Sequence, residues 1–236
     1  MDHKRITLFA GHYGSGKTNI AVNYARLLSR EGKRTAIADL DIVNPYFRTK
    51  DSARELEEAG VELISPQFAN TNVDLPALPA EAYRLVQDRE LYAVLDIGGD
   101  DRGAYALGRY TPFILEEGNY RMAFVANPYR PLTRTPEEAL AVMREIEAAG
   151  GLPFTCIVNN ANLAHETTIH TVLDSLPYMQ KLSELSGLPV WLTSAEERVA
   201  EVLAGWVTEI LSMKLQEKYF DLPEEKSPPR PKPLFG

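Results

Sequence analysis

The segment that most constrains the fold is a glycine-containing loop that follows a short apolar run near the start of the sequence. The run Ile6-Thr7-Leu8-Phe9-Ala10 leads directly into Gly11-His12-Tyr13-Gly14-Ser15-Gly16-Lys17-Thr18, and a segment of helical character begins there. The three glycines allow the backbone to curl around an anion without side-chain clashes. Successive N–H groups then form a nest, to which the following helix N-terminus adds positive potential. This order of strand, loop and helix predicts a phosphate-binding loop in an α/β protein.

The residues of this loop have distinct expected roles. The backbone at Gly11, Gly14, Ser15 and Gly16 is expected to cradle phosphate groups. Lys17 contributes a full positive charge at the β- and γ-phosphates, and it is therefore a candidate catalytic residue as well as a binding residue. The Thr18 hydroxyl is a candidate Mg²⁺ ligand. The motif therefore predicts that the protein binds a nucleoside triphosphate together with Mg²⁺.

Short apolar runs alternate with segments of helical period, which is typical of a parallel sheet with helices on both faces. About seven strands are expected, at residues 5–10, 34–40, 61–64, 92–97, 121–126, 154–159 and 189–193. Helices are expected at residues 17–30, 49–59, 79–89, within 102–117, and at 136–149, 168–186 and 195–218. We therefore predict one mostly parallel α/β domain over residues 1–218, followed by a proline-rich C-terminal tail over residues 219–236.

The last expected helix is predicted from an apolar stripe with spacings of three and four. The stripe consists of Val199, Val202, Leu203, Trp206, Ile210 and Met213. The opposite face carries Glu197, Glu201 and Glu209 rather than the lysines and arginines of a membrane-surface helix. The stripe is therefore expected to pack against the core.

Composition limits the possible partners and compartment. The formal net charge of −8 disfavours general binding to nucleic acid or to anionic membranes. Cys156 is the single cysteine and lies in an apolar run, where a buried thiol is expected rather than a disulfide or a thiolate metal cluster. No signal-peptide pattern and no apolar run of about 20 residues is visible. Cytoplasmic localisation is therefore expected.

Two further strands end in acidic residues. Asp39 and Asp41 end the run from Thr35, and Asp96 ends the run from Tyr92, before Gly98. Because ligands bind at the carboxyl ends of parallel strands, Asp96 is expected to hold Mg²⁺ directly or through water. The alternatives are a helix N-cap for Asp96 and a turn acid for Asp41.

Together these segments resemble the MinD/ParA branch of the CobQ/CobB/MinD/ParA P-loop nucleotide-binding family, over about residues 4 to 215. The segment Ala38-Asp39-Leu40-Asp41-Ile42 is similar to the family's Asp-x-Asp switch I strand, Asn127-Pro128 is similar to its Asn-Pro step, and Val158-Asn159-Asn160 is similar to its base-binding segment. The resemblance implies that Asp41 orients the attacking water, while Asp39 supports the metal site. It also implies that Asn159, or alternatively Asn160, pairs with adenine.

One position departs from the family pattern. The family carries a signature lysine directly after the first glycine of the loop, where this chain has His12. In the family that lysine enters the partner's site in an ATP-bound dimer, and a mostly neutral histidine is a poor substitute. Dimerisation is therefore left open, and slow turnover without a partner is expected.

Metallochaperone GTPases also lack this signature lysine. Those proteins read guanine with a lysine and an aspartate, and neither residue is present in the corresponding segment here, Asn159-Asn160-Ala161-Asn162. Three functions therefore stay open. They are a switch-type ATPase acting on an unidentified protein, a metallochaperone-like GTPase, and an ATP-dependent synthase of the CobQ or dethiobiotin-synthetase kind with a small-molecule substrate. The segment 68–79 could line a pocket for that substrate. The first of the three is favoured.

Other polar groups carry weaker signals. His165 and His170 are interpreted as solvent-exposed residues of a loop and the start of the helix that follows it. They are not interpreted as a metal site, because their spacing places them on different helical faces. The basic segment 129–134 is interpreted as an exposed loop. Three arginines near the expected switch segments could contact phosphate, and the sequence does not rank them: Arg48, Arg102 and Arg109.

Overall fold

Eight parallel strands form one sheet in the computed structural model, which describes residues 1–40, 52–64, 80–98 and 106–215. The strands are β1 Ile6–Ala10, β2 Thr35–Asp39, β3 Val61–Ile64, β4 Tyr92–Asp96, β5 Tyr120–Ala126, β6 Cys156–Asn159, β7 Val190–Glu196 and β8 Ile210–Met213. Their order across the sheet is β3-β2-β4-β1-β5-β6-β7-β8. The first strand therefore lies inside the sheet, with β4 on one side and β5 on the other. The loop that follows β1 opens at the edge where all the strands end.

Helices cover both faces of this sheet. They are α1 Lys17–Arg30, α2 Ala53–Glu58, α3 Arg84–Gln87, α4 Thr111–Glu117, α5 Pro136–Gly150, α6 Ile169–Leu173, α7 Leu176–Ser186 and α8 Glu197–Leu203. Two examples show how sequence fixes them: Gly16 in a left-handed conformation precedes α1, and a Thr135–Glu138 capping box begins α5. The predicted α/β class, the parallel sheet and the helices on both faces are confirmed.

The alternation of side chains along each strand produces two apolar layers. On one face, Phe9 and its neighbours pack against buried residues of α1 and α2, including Tyr24 and Leu56. On the other face, Leu8 and its neighbours pack against α3, α4, α5 and α7. Both layers bury residues that are fully inaccessible to solvent, so the central strands are apolar on both sides, as parallel strands require.

The prediction of one helix over residues 195–218 is wrong. Helix α8 ends at Leu203, and the chain then forms the additional edge strand β8, which pairs with β7. Gly205 has a φ of 93°, a conformation that ends a regular helix. In β8, Leu211 and Met213 are buried while Ser212 between them is exposed, which is strand alternation. Val202 and Trp206 of the predicted stripe are exposed instead of packed in the core.

Smaller differences concern helix boundaries. The helix expected over residues 168–186 is two helices, α6 and α7, separated near Ser175 and with Pro177 in the first turn of α7. A 3-10 turn over Ala80–Tyr83 precedes the short helix α3. The boundary at residue 218 and the proline-rich tail lie outside the described residues. Within the described ranges, no helix has both the length and the apolar character needed to cross a bilayer.

A buried ion pair joins elements at the amino-terminal edge of the sheet, opposite the phosphate loop. The Arg5 guanidinium donates to both carboxylate oxygens of Glu117, and both side chains are about 95% buried. The same guanidinium donates to the backbone oxygens of Leu85, Asp88 and Leu91 at 3.0, 3.0 and 2.9 Å. One cation, directly before β1, therefore connects this strand to the end of α4, to α3 and to the segment between α3 and β4.

Candidate nucleotide-binding site

The phosphate loop is folded in a way that two of its glycines make possible. A Cβ built on Gly11 would lie 2.6 Å from the backbone oxygen of Val125, which no ordinary contact allows. Gly16 has a φ of 94°, and a Cβ there would overlap the side-chain amide of Asn160. The loop therefore packs directly on β5 and on the residue that follows β6, and only glycine fits at both positions.

Polar groups inside the loop are buried. Lys17 is 5% exposed, and its Nζ donates to the backbone oxygen of His12 at 3.3 Å. The Ser15 hydroxyl is fully buried and has no hydrogen-bond partner among the described residues. A buried hydroxyl without a hydrogen-bond partner is costly, and an oxygen of a phosphate group would accept from the Ser15 hydroxyl and attract the Lys17 ammonium.

The start of α1 meets the end of β4. Thr18 Oγ1 donates to Asp96 Oδ2 at 2.6 Å, and Asp96 is fully buried. Asp39 is 5% exposed and is the register partner of Asp96 on the neighbouring strand, so both carboxylates lie at the same level of the sheet. Register places Phe9 of β1 beside Asp96 as well. Hydroxyl and carboxylate oxygens are the ligands that Mg²⁺ prefers, so this donor set fits the metal that the motif implies.

Asn160 connects the phosphate loop to the strands on the other side of β1. Its Nδ2 donates to the backbone oxygen of Ser15 at 2.5 Å, and its Oδ1 accepts from the Ser194 hydroxyl at 2.8 Å. The Ser194 hydroxyl also lies 3.2 Å from the backbone oxygen of Asn159. Ser194 is 1% exposed. Sequence reasoning missed it, although a hydroxyl pair, Thr193-Ser194, near the end of an apolar strand was a visible signal.

Asn159 is directed elsewhere. Its Nδ2 donates to Ser175 Oγ at 2.9 Å, and its Oδ1 accepts from the backbone N–H of Ala161 at 3.1 Å. The side chain is fully buried. The two adjacent asparagines thus have different surroundings, and Asn160 is the one whose amide contacts the phosphate loop.

The remaining predicted residues are distributed between described and undescribed parts of the chain. Asp41, Arg48 and Arg102 lie outside the described residues, as does the segment 68–79. Arg109 is exposed. Among the described residues, no three His, Cys, Asp or Glu side chains cluster in a way that could hold a metal ion.

Comparison with known proteins supports the same kind of site. The sequence model of the CobQ/CobB/MinD/ParA nucleotide binding domain matches residues 6–190. No curated protein matches the chain in sequence.

Solved structures with a similar fold include two FtsY proteins and a signal recognition particle protein. The cell division protein FtsY of Thermotoga maritima has a TM-score of 0.57 at 16% identity, over 83% of this chain and 63% of that chain. FtsY of Mycoplasma mycoides has a TM-score of 0.56 at 17% identity, over 84% and 61%. The 54 kDa signal recognition particle protein of Aeropyrum pernix, solved in complex with GDP, has a TM-score of 0.50 at 19% identity, over 78% and 40%. The chain thus spans less than two thirds of each, and the likeness shows the fold alone.

Proposed function

The chain belongs to the CobQ/CobB/MinD/ParA nucleotide-binding domain family, and on that premise we propose that it is a Mg²⁺-dependent ATPase that acts as a nucleotide-controlled switch. The observation that carries the proposal is the contact between Thr18 and Asp96 at 2.6 Å, beside the buried Lys17. A hydroxyl at the helix start and a carboxylate at a strand end are brought together where a triphosphate and its metal would bind. The partner on which the switch acts is an unidentified protein.

Each residue has a proposed role in that function. The backbone at Gly11, Gly14, Ser15 and Gly16 cradles the phosphates, with the Ser15 hydroxyl as an added donor. Lys17 neutralises the β- and γ-phosphates. Thr18 and Asp96 hold Mg²⁺ between them, with Asp39 as the neighbouring carboxylate. The metal supplies charge neutralisation at the phosphate chain when it is bound.

Base recognition is proposed to involve Asn160 rather than Asn159. Both side-chain amides have hydrogen-bond partners, Asn159 with Ser175 and Ala161, and Asn160 with Ser15 and Ser194. Asn160 is proposed because its Nδ2 contacts the phosphate loop itself. Adenine is the proposed base because the chain has no aspartate to read guanine. That aspartate would come three residues after the base-binding asparagine, where this chain has Asn162 (after Asn159) or Leu163 (after Asn160). The Asn162 Oδ1 also accepts from the backbone N–H of Ala164 at 2.6 Å.

We expect ATP to bind at least about tenfold more tightly than GTP, a difference of about 1.4 kcal/mol. The measurement is displacement of a fluorescent nucleotide by ATP and by GTP, each with excess Mg²⁺. The Lys17→Ala protein serves as the control that the displaced probe occupied the phosphate loop. GTP competing as well as ATP would favour the metallochaperone-like GTPase instead.

Hydrolysis is proposed to depend on Asp41, which lies outside the described residues. Asp41→Asn is expected to retain ATP affinity and to lower turnover roughly 100-fold, because a neutral side chain orients the attacking water poorly. Phosphate release under saturating Mg-ATP measures turnover. The matched control is Asp174→Asn, an exposed position on the described part of the chain. Wild-type turnover in Asp41→Asn would remove this residue from the mechanism.

A further inference from the structure

The loop that follows β5 brings an arginine against the phosphate loop. A Cβ built on Gly14 would lie 3.8 Å from Arg130 Nε and 3.9 Å from Arg130 Cδ, so the arginine side chain runs along the backbone at Gly14. The Nε atom is shielded from solvent and has no hydrogen-bond partner among the described residues. Arg134, four residues later on the same loop, is exposed. The expectation of a wholly exposed basic loop therefore holds for Arg134 and not for Arg130.

The loop is held by hydrogen bonds that fix the backbone of Arg130. Its N–H donates to the Asn127 oxygen, and its own oxygen accepts from the Thr133 N–H, both at 3.2 Å. The Thr133 hydroxyl also donates to the Asn127 oxygen at 2.8 Å. The Tyr129 hydroxyl anchors the loop to the Thr171 oxygen at 2.8 Å. A cation presented by a braced loop needs little reorganisation when it binds an anion.

Position along the loop indicates which phosphate is nearest. Lys17 is the residue whose ammonium serves the β- and γ-phosphates, and its Nζ lies 3.3 Å from the oxygen of His12. The half of the loop from His12 to Gly14 therefore lines the terminal end of the phosphate chain. Arg130 approaches that half.

Charge balance supplies the reason for a second cation. Hydrolysis of a phosphoanhydride develops negative charge on the transferred group, and P-loop enzymes commonly stabilise that charge with an arginine supplied by the same chain or by a partner. The phosphate loop of this chain carries His12 where a lysine would have added charge. An arginine beside Gly14 can supply it without a second subunit.

We propose that Arg130 is a phosphate-contacting residue that acts within its own chain, with its guanidinium bound to the terminal phosphate of the nucleotide. This inference rests on the proposed function, since it requires a triphosphate in the loop. The positive charge at the terminal phosphate would then come from the same chain that binds the nucleotide, and a second subunit would not be needed to supply it.

The test compares Arg130→Ala, Arg130→Lys and the control Arg134→Ala, which removes the same charge from an exposed position of the same loop. Affinities for Mg-ADP and for a non-hydrolysable Mg-ATP analogue are measured by calorimetry, and turnover by phosphate release. Arg130→Ala is expected to weaken the triphosphate analogue about 10- to 100-fold while changing ADP affinity less than about threefold, as loss of charge-assisted hydrogen bonds to the terminal phosphate requires. Turnover is expected to fall about 100-fold or more. Arg130→Lys restores part of the affinity, and Arg134→Ala resembles the wild type.

Several results would overturn the assignment. Equal losses of ADP and triphosphate affinity would show that Arg130 only supports the shape of the loop, and unchanged affinities would show that it contacts no phosphate. Mixing Arg130→Ala with Lys17→Ala chains tests the cis arrangement: recovery of turnover in the mixture would show that the arginine acts across a dimer. Failure of the wild-type protein to bind any nucleotide would overturn the proposed function and this inference together. Loss of binding in Lys17→Ala alone, with an unaffected Arg130→Ala, would overturn only the inference.

Discussion

Replacement of Lys17 by alanine is expected to abolish measurable Mg-ATP binding. The ammonium is the buried cation of the phosphate loop, and the substitution removes its charge-assisted hydrogen bonds to the β- and γ-phosphates. Calorimetric titration measures the affinity directly. Thermal unfolding gives a second readout, because nucleotide at 100 times its Kd stabilises the wild-type protein by about 2.7 kcal/mol, or roughly 5–10 °C for a domain of this size.

The control for this experiment is Lys181→Ala, which removes a lysine from the exposed surface of α7. That variant is expected to bind nucleotide and to show the same nucleotide-dependent rise in melting temperature as the wild type. Lys17→Ala should still unfold cooperatively in the absence of nucleotide, so that a lost thermal shift reports binding and not folding. Wild-type affinity in Lys17→Ala would reject the assignment of the loop as the nucleotide site.

The largest stability effect is expected at Glu117. Glu117→Gln leaves the Arg5 guanidinium buried without its counter-charge, and breaking such a pair from one side costs about 3–5 kcal/mol. Arg89 loses a partner as well, since its Nη1 lies 2.9 Å from Glu117 Oε2. Urea denaturation of the nucleotide-free protein measures the free energy of unfolding.

Two comparison variants separate burial of charge from loss of a contact. Glu58→Gln removes one partner of an exposed ion pair with Arg54 on α2 and should change stability by a small fraction of the Glu117 effect. The double variant Arg5→Met with Glu117→Leu replaces both charges by apolar groups and should recover much of the loss. If the Glu117→Gln protein is as stable as the Glu58→Gln protein, water reaches the Arg5–Glu117 pair and the expected cost of an unpaired buried charge is wrong.

The parts of the site that were predictable from sequence are those specified by local patterns. A glycine-containing phosphate loop between a strand and a helix can be recognised from eight consecutive residues. An acidic residue that ends an apolar strand indicates the carboxyl edge of a sheet. That is why Lys17, Thr18 and Asp96 could be placed beside one another before the fold was known. The structure brings Thr18 and Asp96 to hydrogen-bonding distance.

Other features depended on contacts that sequence spacing does not encode. Neighbouring side chains at a strand end point in opposite directions. The family pattern favoured Asn159 over Asn160, and only the contacts show that the Asn160 amide is the one against the phosphate loop. Arg130 contacts the phosphate loop across more than one hundred residues of sequence. For β8, apolar residues three and four apart suited a helix until pairing with β7 and the break at Gly205 determined a strand.

The strand order also determines when the site can form during synthesis. The strand that carries the phosphate loop leaves the ribosome long before either of its partners, which lie at Tyr92–Asp96 and Tyr120–Ala126. Long-range pairing of this kind makes folding wait for distant segments. A nascent chain that ends before residue 120 therefore leaves at least one backbone edge of β1 unpaired, and it lacks the β5 backbone against which Gly11 packs. Cellular factors that shield nascent chains would therefore meet β1 with an unpaired edge until the residues of β5 have emerged.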